Sequence, residues 1–330
     1  MREVTYEEYL EHVRKNKEIA VEDKTIKLDP VNITHLEPRL GELTNISTTV
    51  WSFPERGSWA THKGDYRGNW PPQIPRALMQ MYTKRNDLVL DQMMGSGTTC
   101  IEARIMGRNC IGVDINYNAV MLTLHRLYYL EEFAKKNALS SLESYMDIKD
   151  VDENILNSWS KIYHGDARKL YMIEDNSIDL IATHPPYLNI IKYGDGVEGD
   201  LSKAGSLEEY LEWMFQVARE SYRVLKHGGY CAILIGDTRI HKHYVPVSHY
   251  VLQAFLEAGF ILKEEVVKIQ HKMKTTREIW SKLRKRDFLL IQHEKLFIFR
   301  KPAEGEEVDK LKYSSKLRSP GDSARLNRLL

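Results

Sequence analysis

The sequence lacks the long apolar runs and the excess of one charge that would assign it to a membrane or to bulk nucleic-acid binding. No apolar run in the 330 residues approaches the roughly 18 consecutive apolar residues that a membrane span needs. The charged N-terminus has no apolar signal-peptide core. Lys plus Arg is 47 and Asp plus Glu is 46, so the net charge is +1. We therefore expect a cytoplasmic protein on which any nucleic-acid surface is a local patch.

Cysteine is scarce, and its positions give no framework for a disulfide or a metal. Cys100, Cys110 and Cys231 are odd in number, form no Cys-x-x-Cys pair and lie in apolar stretches. We expect reduced core residues. The twelve histidines also show no metal-ligand spacing, and His241 and His243 are predicted to lie on a surface turn. No metal requirement is expected.

Two common nucleotide-binding motifs, the P-loop and Gly-x-Gly-x-x-Gly, are absent. Instead, residues 91–99 (DQMMGSGTT) join a short apolar run to a helical segment. Gly95 and Gly97 allow a tight turn and a close approach to a ligand. Asp114 ends the next apolar run, where an acid can hold a ribose diol or simply cap a helix. Asp91 could bind the ammonium of an amino-acid-like cofactor, which favours S-adenosylmethionine over a dinucleotide.

Alternating apolar runs and amphipathic segments from about residue 70 predict an α/β fold with a doubly wound, mostly parallel sheet. Ligands then bind beyond the carboxyl ends of the strands. A short helix is also expected at Tyr6–Lys15. The predicted strands are Leu88–Asp91, 110–114, 161–164, Ile178–Thr183, 230–236, 260–269 and 295–300, and the predicted helices are 98–106, 118–133, 207–225 and 247–258.

The fourth of these strands runs into Thr183-His184-Pro185-Pro186-Tyr187. Two prolines stiffen the backbone and remove two N–H donors. Rigid carbonyl acceptors beside an aromatic face suit a planar amine, such as the exocyclic amine of a flipped base. The plainer alternative is a proline-stiffened turn with a packing tyrosine.

These motifs resemble those of amino-group DNA methyltransferases. DQMMGSGTT is similar to the family's DPFxGSGT cofactor motif, and THPPY is similar to its [SDN]PP[YF] catalytic motif. Residues 68–82, 165–167 and 293–301 resemble three further family elements, so the resemblance covers about residues 50–302. It implies a seven-stranded Rossmann-like class I methyltransferase fold that binds S-adenosylmethionine, in the unpermuted order with the cofactor motif first.

The resemblance also implies roles for individual residues. His184, Pro185, Pro186 and Tyr187 would hold and activate the target amine. His184 replaces the usual Ser, Asp or Asn, and a neutral imidazole can still accept a hydrogen bond or take a proton. Gln92-Met93 replaces the usual Pro-Phe, and Met93 can pack against the cofactor. The expected cofactor contacts are Trp70, Pro72, Asp91, Met93, Gly95, Ser96, Gly97 and Thr98, with Asp114 at the ribose and Asp166 near the adenine.

A strongly basic stretch between the last two predicted strands is the candidate nucleic-acid surface. Residues 268–290 are expected to form a basic β-hairpin insert that clamps phosphates. A second aromatic and basic stretch, residues 51–70, suits a cofactor lid, a strand-binding rim or packing against the sheet. The residues predicted to contact nucleic acid are Lys272, Lys274, Arg277, Trp280, Arg284, Lys285 and Arg286.

The organisation expected is an N-terminal arm (1–50), a methyltransferase domain (51–302) and a C-terminal tail (303–330). The favoured activity is methylation of DNA at N4 of cytosine rather than N6 of adenine, because a threonine stands two positions before the first proline. A restriction-modification context, with a cognate restriction enzyme or recognition subunit as partner, is possible. The alternatives are RNA or tRNA guanine-N2 methylation, protein glutamine methylation and a non-catalytic partner. The absence of a Pro-Cys motif argues against cytosine C5 methylation.

Overall fold

The structure is a computed structural model, and it describes residues 1–21, 24–39, 46–66, 68–144, 147–187, 199–271 and 287–315. Arg67 and residues 188–198, which follow the Pro-Pro-Tyr turn, lie outside these ranges. The predicted nucleic-acid contacts also lie outside them: Lys272, Lys274, Arg277, Trp280, Arg284, Lys285 and Arg286.

Thirteen strands are formed by the described residues, and nine of them make one sheet. The strands are β1 (Arg2–Glu3), β2 (Glu18–Val21), β3 (Lys24–Lys27), β4 (Val50–Ser52), β5 (Leu88–Asp91), β6 (Asn109–Asp114), β7 (Ser160–His164), β8 (Ile178–Thr183), β9 (Leu225–Ile235), β10 (Thr238–Ile240), β11 (His243–Val245), β12 (Ile261–Ile269) and β13 (His293–Arg300).

Helices cover both faces of this sheet. They are α1 (Tyr6–Lys15), α2 (Gln73–Tyr82), α3 (Thr98–Ile105), α4 (Tyr117–Glu143), α5 (Asp150–Asn157), α6 (Leu207–Val224) and α7 (Val247–Glu257), with single helical turns at Leu201–Lys203, Val308–Leu311 and Lys312–Ser315.

The main sheet has the strand order β1-β7-β6-β5-β8-β9-β13-β12-β4. The five strands from β7 to β9 run parallel, and β13 is antiparallel to both of its neighbours. The α/β fold with a mostly parallel, doubly wound sheet is therefore confirmed. Seven strands form the centre, and two short strands from the first 52 residues extend the sheet at its edges, where β1 pairs with β7 and β4 with β12.

The residues before β5 pack against the sheet and its helices. Helix α1 has the predicted bounds, with the side chain of Thr5 capping its first turn. The hydroxyl of Tyr9 on α1 lies 2.8 Å from His125 Nδ1 on α4. The hairpin of β2 and β3 packs its apolar face against Leu122 of α4. The arm thus shares the hydrophobic core of the rest of the chain.

Two predicted helix ends differ from the structure. Helix α4 continues ten residues past the predicted end at 133, because Ala134 and Ala138 keep its inner face buried. Helix α6 ends at Val224, one residue before the predicted end at 225, since Leu225 is fully buried and pairs with Ile178 as the start of β9. The strand predicted at 230–236 therefore begins five residues earlier, directly after the helix.

The core has one cluster on each face of the sheet. One cluster includes α2, α3 and α4, and the other includes α6 and α7. Cys100, Cys110 and Cys231 are buried and unpaired within it, as predicted. His241 and His243 are exposed at the turn of the β10–β11 hairpin, which confirms the predicted surface turn.

Candidate active site

The parallel strands bring the predicted motifs to one edge of the sheet. The glycine turn follows β5, residues 165–167 follow β7 and the Pro-Pro-Tyr turn follows β8. Strands β6, β5 and β8 are direct neighbours, so the carboxyl ends that carry Asp114, Asp91 and Thr183 lie side by side. This edge is where doubly wound sheets bind ligands.

The turn after β5 requires glycine at two positions. Gly95 and Gly97 have φ values of +53° and +80°, a region that residues with a side chain rarely adopt. A Cβ at Gly95 would lie 2.9 Å from the ring of Tyr66, and one at Gly97 would lie 2.6 Å from Thr123. Gly97 also begins α3, so the backbone N–H groups of the first turn point toward the site edge.

Asp114 ties this turn to the end of β6. Its carboxylate accepts hydrogen bonds from the backbone N–H of Gly95 (2.8 Å) and of Asn116 (2.8 Å). Burial raises the pKa of Asp114 to about 7, against the opposing effect of these two hydrogen bonds. Each carboxylate oxygen keeps a further lone pair, which can accept from a ribose diol.

Asp91 joins the cofactor side of the site to the Pro-Pro-Tyr turn. Its buried carboxylate accepts from the hydroxyls of Thr99 (2.5 Å) and Thr183 (2.9 Å) and from the N–H of Met93 (3.2 Å). Burial raises the pKa of Asp91 to about 6, although these hydrogen bonds lower it. Because Thr183 directly precedes His184, this carboxylate fixes the relative position of the two turns. An ammonium contact at Asp91 stays a prediction.

Trp70 packs against His184 of the Pro-Pro-Tyr turn. It is 3% exposed, and its ring stacks on the imidazole of His184 with centroids 5.9 Å apart and 19° between the planes. Asn69 accepts a hydrogen bond from the hydroxyl of Thr98, and Arg56 donates to the carbonyl oxygens of Asn69 (2.9 Å) and Trp70 (2.7 Å). Pro72 is buried just before α2. Trp70 thus contacts His184, and its neighbour Asn69 contacts Thr98.

The aromatic residues of 51–70 mostly face the core. Trp51, Phe53, Trp59 and Trp70 are at most 6% exposed. Of the alternatives for this stretch, a strand-binding rim is therefore excluded for these four side chains, which are too buried to stack on a nucleic-acid strand. Tyr66 lies over Gly95, at the cofactor side of the site.

One predicted cofactor contact, Asp166, and Gln92 of the glycine motif are hydrogen-bonded to other protein groups. Arg168 holds the carboxylate of Asp166 through several hydrogen bonds of 2.6 to 3.0 Å, and it also donates to Gly199 O. Backbone groups at residues 166–167 therefore remain for an adenine. Gln92 turns inward and exchanges hydrogen bonds with Ser221 on α6.

Ser96 and Met93 complete the turn. The side chain of Ser96 is buried, and its hydroxyl has no hydrogen-bond partner in the described structure. Met93 is half-buried and packs at the margin of the core beside α6 and α7. A buried hydroxyl without a partner is costly, so Ser96 is suited to receive a polar ligand atom.

The Pro-Pro-Tyr turn carries a chain of hydrogen-bonded side chains. His184 Nε2 lies 2.8 Å from the hydroxyl of Tyr187, and that hydroxyl donates to Glu294 on β13. Lys268 on β12 donates to the other oxygen of Glu294 at 2.8 Å. The ring of Tyr187 also packs on Gly236, where a Cβ would lie 2.7 Å from it.

Burial and neighbouring charges set the ionisation of these hydrogen-bonded side chains. Burial lowers the pKa of His184 to about 4, with the Glu294 charge opposing it, so the imidazole is neutral at pH 7. Burial also raises the pKa of Tyr187 well above its usual value. For Glu294, burial raises the pKa, but the positive charge of Lys268 and the hydrogen bonds from Lys268 and Tyr187 outweigh it, and the pKa is lowered. A neutral imidazole therefore stands next to an ionised carboxylate.

Sequence reasoning missed two members of this chain. Glu294 is not among the predicted site residues, although it lies within residues 293–301, which resemble a family element. Lys268 is the first residue of the predicted basic insert, but it lies in β12 and pairs with Glu294. The start of the insert at residue 268 is thus a correction. The signal available was the pairing of two extended segments, which would place Lys268 opposite Glu294.

The sheet order, the glycine turn after its central strand and the acid at the end of the next strand define a class I methyltransferase fold. The chain matches a family model described as DNA methylase over residues 4–124 and 178–324, well over half of its length. It therefore belongs to the DNA methylase family. A second model, described as an RMKL-like methyltransferase domain, matches residues 65–220.

Several curated proteins are similar to parts of the chain, and it spans about a third of their length. The Type II methyltransferase M.BglII of Bacillus subtilis is 30% identical over 131 residues, which are 37% of this chain and 33% of that protein. The DNA adenine methyltransferase YhdJ of Escherichia coli is 32% identical over 118 residues, 32% of this chain and 39% of its own. A tRNA (guanine(10)-N2)-dimethyltransferase of Methanocaldococcus jannaschii is 26% identical over 151 residues, 46% and 35% of the two chains.

S-adenosylmethionine is the cofactor of this family, and the described residues fit it. The turn at Gly95 and Gly97 has no room for side chains, the Ser96 hydroxyl is unsatisfied and Asp114 retains acceptor capacity. Within the described ranges, no group of three or more His, Cys, Asp and Glu side chains could hold a metal ion. None of the helices described is long and apolar enough to cross a bilayer.

Proposed function

We propose that the protein transfers a methyl group from S-adenosylmethionine to an exocyclic amino group of a base in DNA. The observation that carries the proposal is the hydrogen bond of 2.9 Å from Thr183 to Asp91. It joins the end of the strand before the glycine turn to the end of the strand before His184. A cofactor at one turn and an amine at the other would then be neighbours.

The cofactor would be held by backbone and acidic groups of the first turn. Gly95, Ser96 and Gly97 would line its methionine end, Asp114 would accept from its ribose hydroxyls and residues 166–167 would face its adenine. Trp70 and Thr98 would close the side toward His184. When bound, S-adenosylmethionine supplies an electrophilic methyl group on a sulfonium.

The target amine would be held by the second turn. The lone pair of an aromatic amine is delocalised, so hydrogen bonds from its N–H groups to His184 and to the carbonyl of Pro185 would make the nitrogen more tetrahedral and more nucleophilic. Pro186 keeps the turn rigid, and Tyr187 offers a flat face for the base. The rate would come from positioning and electrostatics, without a covalent intermediate.

Access to the amine would need the base to leave the duplex and enter the site. The basic insert within residues 268–290 would hold the phosphates of the DNA. We also propose that residues 1–50 form an arm, 51–302 the methyltransferase domain and 303–330 a tail, and that a restriction or recognition subunit acts with this chain.

We favour N4 of cytosine as the target over N6 of adenine. The threonine on which this preference rests directs its hydroxyl to Asp91. It therefore acts through the architecture of the turn rather than by contact with the base. The similarity to an adenine methyltransferase keeps N6 of adenine as the alternative that the assay separates.

Guanine-N2 methylation of tRNA is the second candidate. It is favoured by the similarity to a tRNA dimethyltransferase over 46% of this chain. A planar exocyclic amine is the shared substrate group, so the same two turns would serve either activity.

The test is methyl transfer from labelled S-adenosylmethionine to mixed double-stranded DNA and to tRNA, followed by digestion and mass spectrometry of the nucleosides. N4-methylcytosine in DNA is the expected product. N6-methyladenine as the product would identify adenine as the target base. Label confined to tRNA would favour the second candidate over the proposal. No label in either, with cofactor bound, would refute nucleic-acid methylation by this chain.

Two variants check the amine site directly. Tyr187→Ala and Pro185→Ala should lower transfer by about 10²-fold or more, because a displaced amine loses its in-line geometry. Cofactor affinity should stay within about twofold, since neither side chain lies on the cofactor turn. Tyr250→Ala and Pro302→Ala are the matched controls. Wild-type turnover in both site variants would refute the assignment.

A further inference from the structure

Glu294 lies at the edge of the site, although it is not among the site residues that the family resemblance implies. Strand β13 runs antiparallel to β9, so the start of β13 lies beside the end of β9, where Gly236 touches Tyr187. Glu294 is 5% exposed, and Lys268 is its directly opposite partner on β12. The carboxylate and His184 therefore both contact the hydroxyl of Tyr187.

The hydrogen bonds at Glu294 and Tyr187 determine which atom of each pair carries the proton. Lys268 can only donate, and it takes one oxygen of Glu294 at 2.8 Å. The hydroxyl of Tyr187 donates to the other oxygen. The Tyr187 oxygen is then an acceptor for His184 Nε2, 2.8 Å away. His184 thus carries its proton on Nε2, which leaves Nδ1 as a lone-pair acceptor.

We propose that Glu294 is a positioning residue for methyl transfer, which holds the hydroxyl of Tyr187 and through it the His184 tautomer whose Nδ1 accepts a hydrogen bond. The inference deepens the proposed function and rests on it. Nδ1 is buried and makes no hydrogen bond of normal geometry, and the backbone carbonyl of Gly68, which raises the pKa of the ring, cannot donate to it, so Nδ1 of this tautomer lacks a donor. An amine N–H is a donor of the required kind.

A purely structural ion pair does not account for this arrangement. A buried Lys–Glu pair contributes little net stability over apolar residues of the same size. The neighbouring cross-strand pair Lys295–Glu265 (3.2 Å) joins the same two strands without reaching Tyr187. What distinguishes Glu294 is the second hydrogen bond, which links the sheet to both side chains of the catalytic turn.

The variant E294Q keeps the size of the side chain but changes the hydrogen bonding that determines the His184 tautomer. Lys268 still takes the carbonyl oxygen of the glutamine, so the amide NH2 faces Tyr187 and donates to it. Tyr187 must then donate to His184 Nε2, and the ring proton moves to Nδ1. The acceptor offered to the amine is lost while the side chains keep their size, as when the orienting carboxylate of a catalytic histidine is replaced by its amide.

Activity is the first readout. E294Q should lower kcat by about 10- to 100-fold, with the KM for DNA and the Kd for S-adenosylmethionine within about twofold. Y187F should lower kcat because it breaks the link, and the double variant E294Q/Y187F should be no slower than Y187F. The matched control E265Q should keep wild-type kcat. Multiplicative effects in the double variant, or wild-type kcat in E294Q, would overturn the proposal.

The second readout is independent of turnover. Nitrogen-15 NMR of the His184 ring should show the Nε2–H tautomer in the wild type and the Nδ1–H tautomer in E294Q, with E265Q like the wild type. The charged groups that face this chain are Glu294, Lys268, Arg56 and Asp237, so the spectra are compared at one pH near 7. An unchanged tautomer in E294Q refutes the inference, whereas absent methyl transfer with the tautomer change refutes the proposed function alone.

Discussion

At the scale of single residues, the two buried aspartates of the site, Asp91 and Asp114, have pKa values well above those of ordinary aspartates. Burial raises the pKa of Asp91 to about 6 and that of Asp114 to about 7. The negative charge of Asp200 also raises the pKa of Asp114. Both carboxylates therefore titrate near neutral pH, so the charge on the cofactor side of the site depends on pH.

Affinity for S-adenosylmethionine should fall as pH drops through 7. A protonated Asp114 accepts the ribose hydroxyls less strongly, so the Kd should rise about tenfold between pH 8 and pH 6. D114N should bind more weakly at pH 8 and respond little to pH. Titration calorimetry from pH 6 to 8.5 measures this.

A second variant separates Asp114 from other titrating groups. D200N removes a negative charge that raises the pKa of Asp114, so the midpoint of the affinity curve should move to lower pH. A wild-type Kd that is constant from pH 6 to 8 would contradict the assignment of Asp114 to the ribose.

At the scale of elements, Glu102 on α3 joins the segment that contains Trp59 and His62 to α2 and α3. Its fully buried carboxylate accepts from Trp59 (2.6 Å), His62 (2.7 Å) and Arg76 (3.0 Å). Arg76 belongs to α2, while Trp59 and His62 belong to the stretch that leads to Trp70. The segment that leads to Trp70 is thus held by one carboxylate distant in sequence.

E102A should lower the free energy of unfolding by about 3–5 kcal/mol, because Arg76 loses its buried partner and keeps only a 3.7 Å ion pair with the exposed Glu37. It should also weaken cofactor binding, since the segment with Trp70 loses its anchor. Denaturant unfolding and calorimetry measure the two effects. E132Q, on the exposed face of α4, is the control. Equal stability of E102A and E132Q would contradict this role.

The N-terminal arm is attached through His125 of α4. Its Nε2 donates to Asp29 O (3.0 Å), so Nδ1 is the acceptor for the hydroxyl of Tyr9 (2.8 Å). Burial lowers the pKa of His125 to about 4. The unfolded chain binds this proton near pH 6.5, so the stability gained at neutral pH is lost as pH falls from about 6.5 toward 4.

Y9F should lower the free energy of unfolding at pH 7 by about 1–3 kcal/mol, because it leaves a buried acceptor unsatisfied. Y313F, at a ring that is 82% exposed, should leave stability unchanged. Thermal unfolding at pH 7 measures both. A Y9F protein as stable as the wild type would show that this hydrogen bond does not hold the arm.

At the scale of the whole molecule, charge is balanced overall and concentrated locally. The net charge is +1, whereas residues 272–286 carry seven Lys or Arg residues against one Glu. Long-range attraction of DNA by the entire protein is therefore expected to be weak, and we predict that phosphate binding depends on this one stretch.

Replacement of Arg284, Lys285 and Arg286 by glutamine should weaken DNA binding and make it less sensitive to salt. Each lost phosphate contact reduces the slope of log K against log salt by about 0.9. Fluorescence anisotropy over a salt series measures it. The control replaces Lys135, Lys136 and Lys310, and its slope should equal that of the wild type. Equal slopes in both triple variants would exclude the basic stretch from phosphate binding.

The sequence by itself determined the parallel sheet and the order of the motifs. Apolar runs of four to six residues alternate with helical periodicity, and glycine at φ values of +53° and +80° has no substitute in the turn after β5. Local patterns of this kind depend on neighbours along the chain. They predicted the bounds of α1, β5 and β8 as they stand in the structure.

The tertiary structure alone decided which distant side chains meet. Lys268, Glu294 and Tyr187 come from three separate segments, and no local pattern shows that they share one hydrogen-bonded chain. The end of α6 and the buried side of residues 51–70 were likewise decided by burial against the sheet. Burial and long-range pairing depend on the assembled fold, because a side chain is ionised, buried or oriented by its neighbours in space.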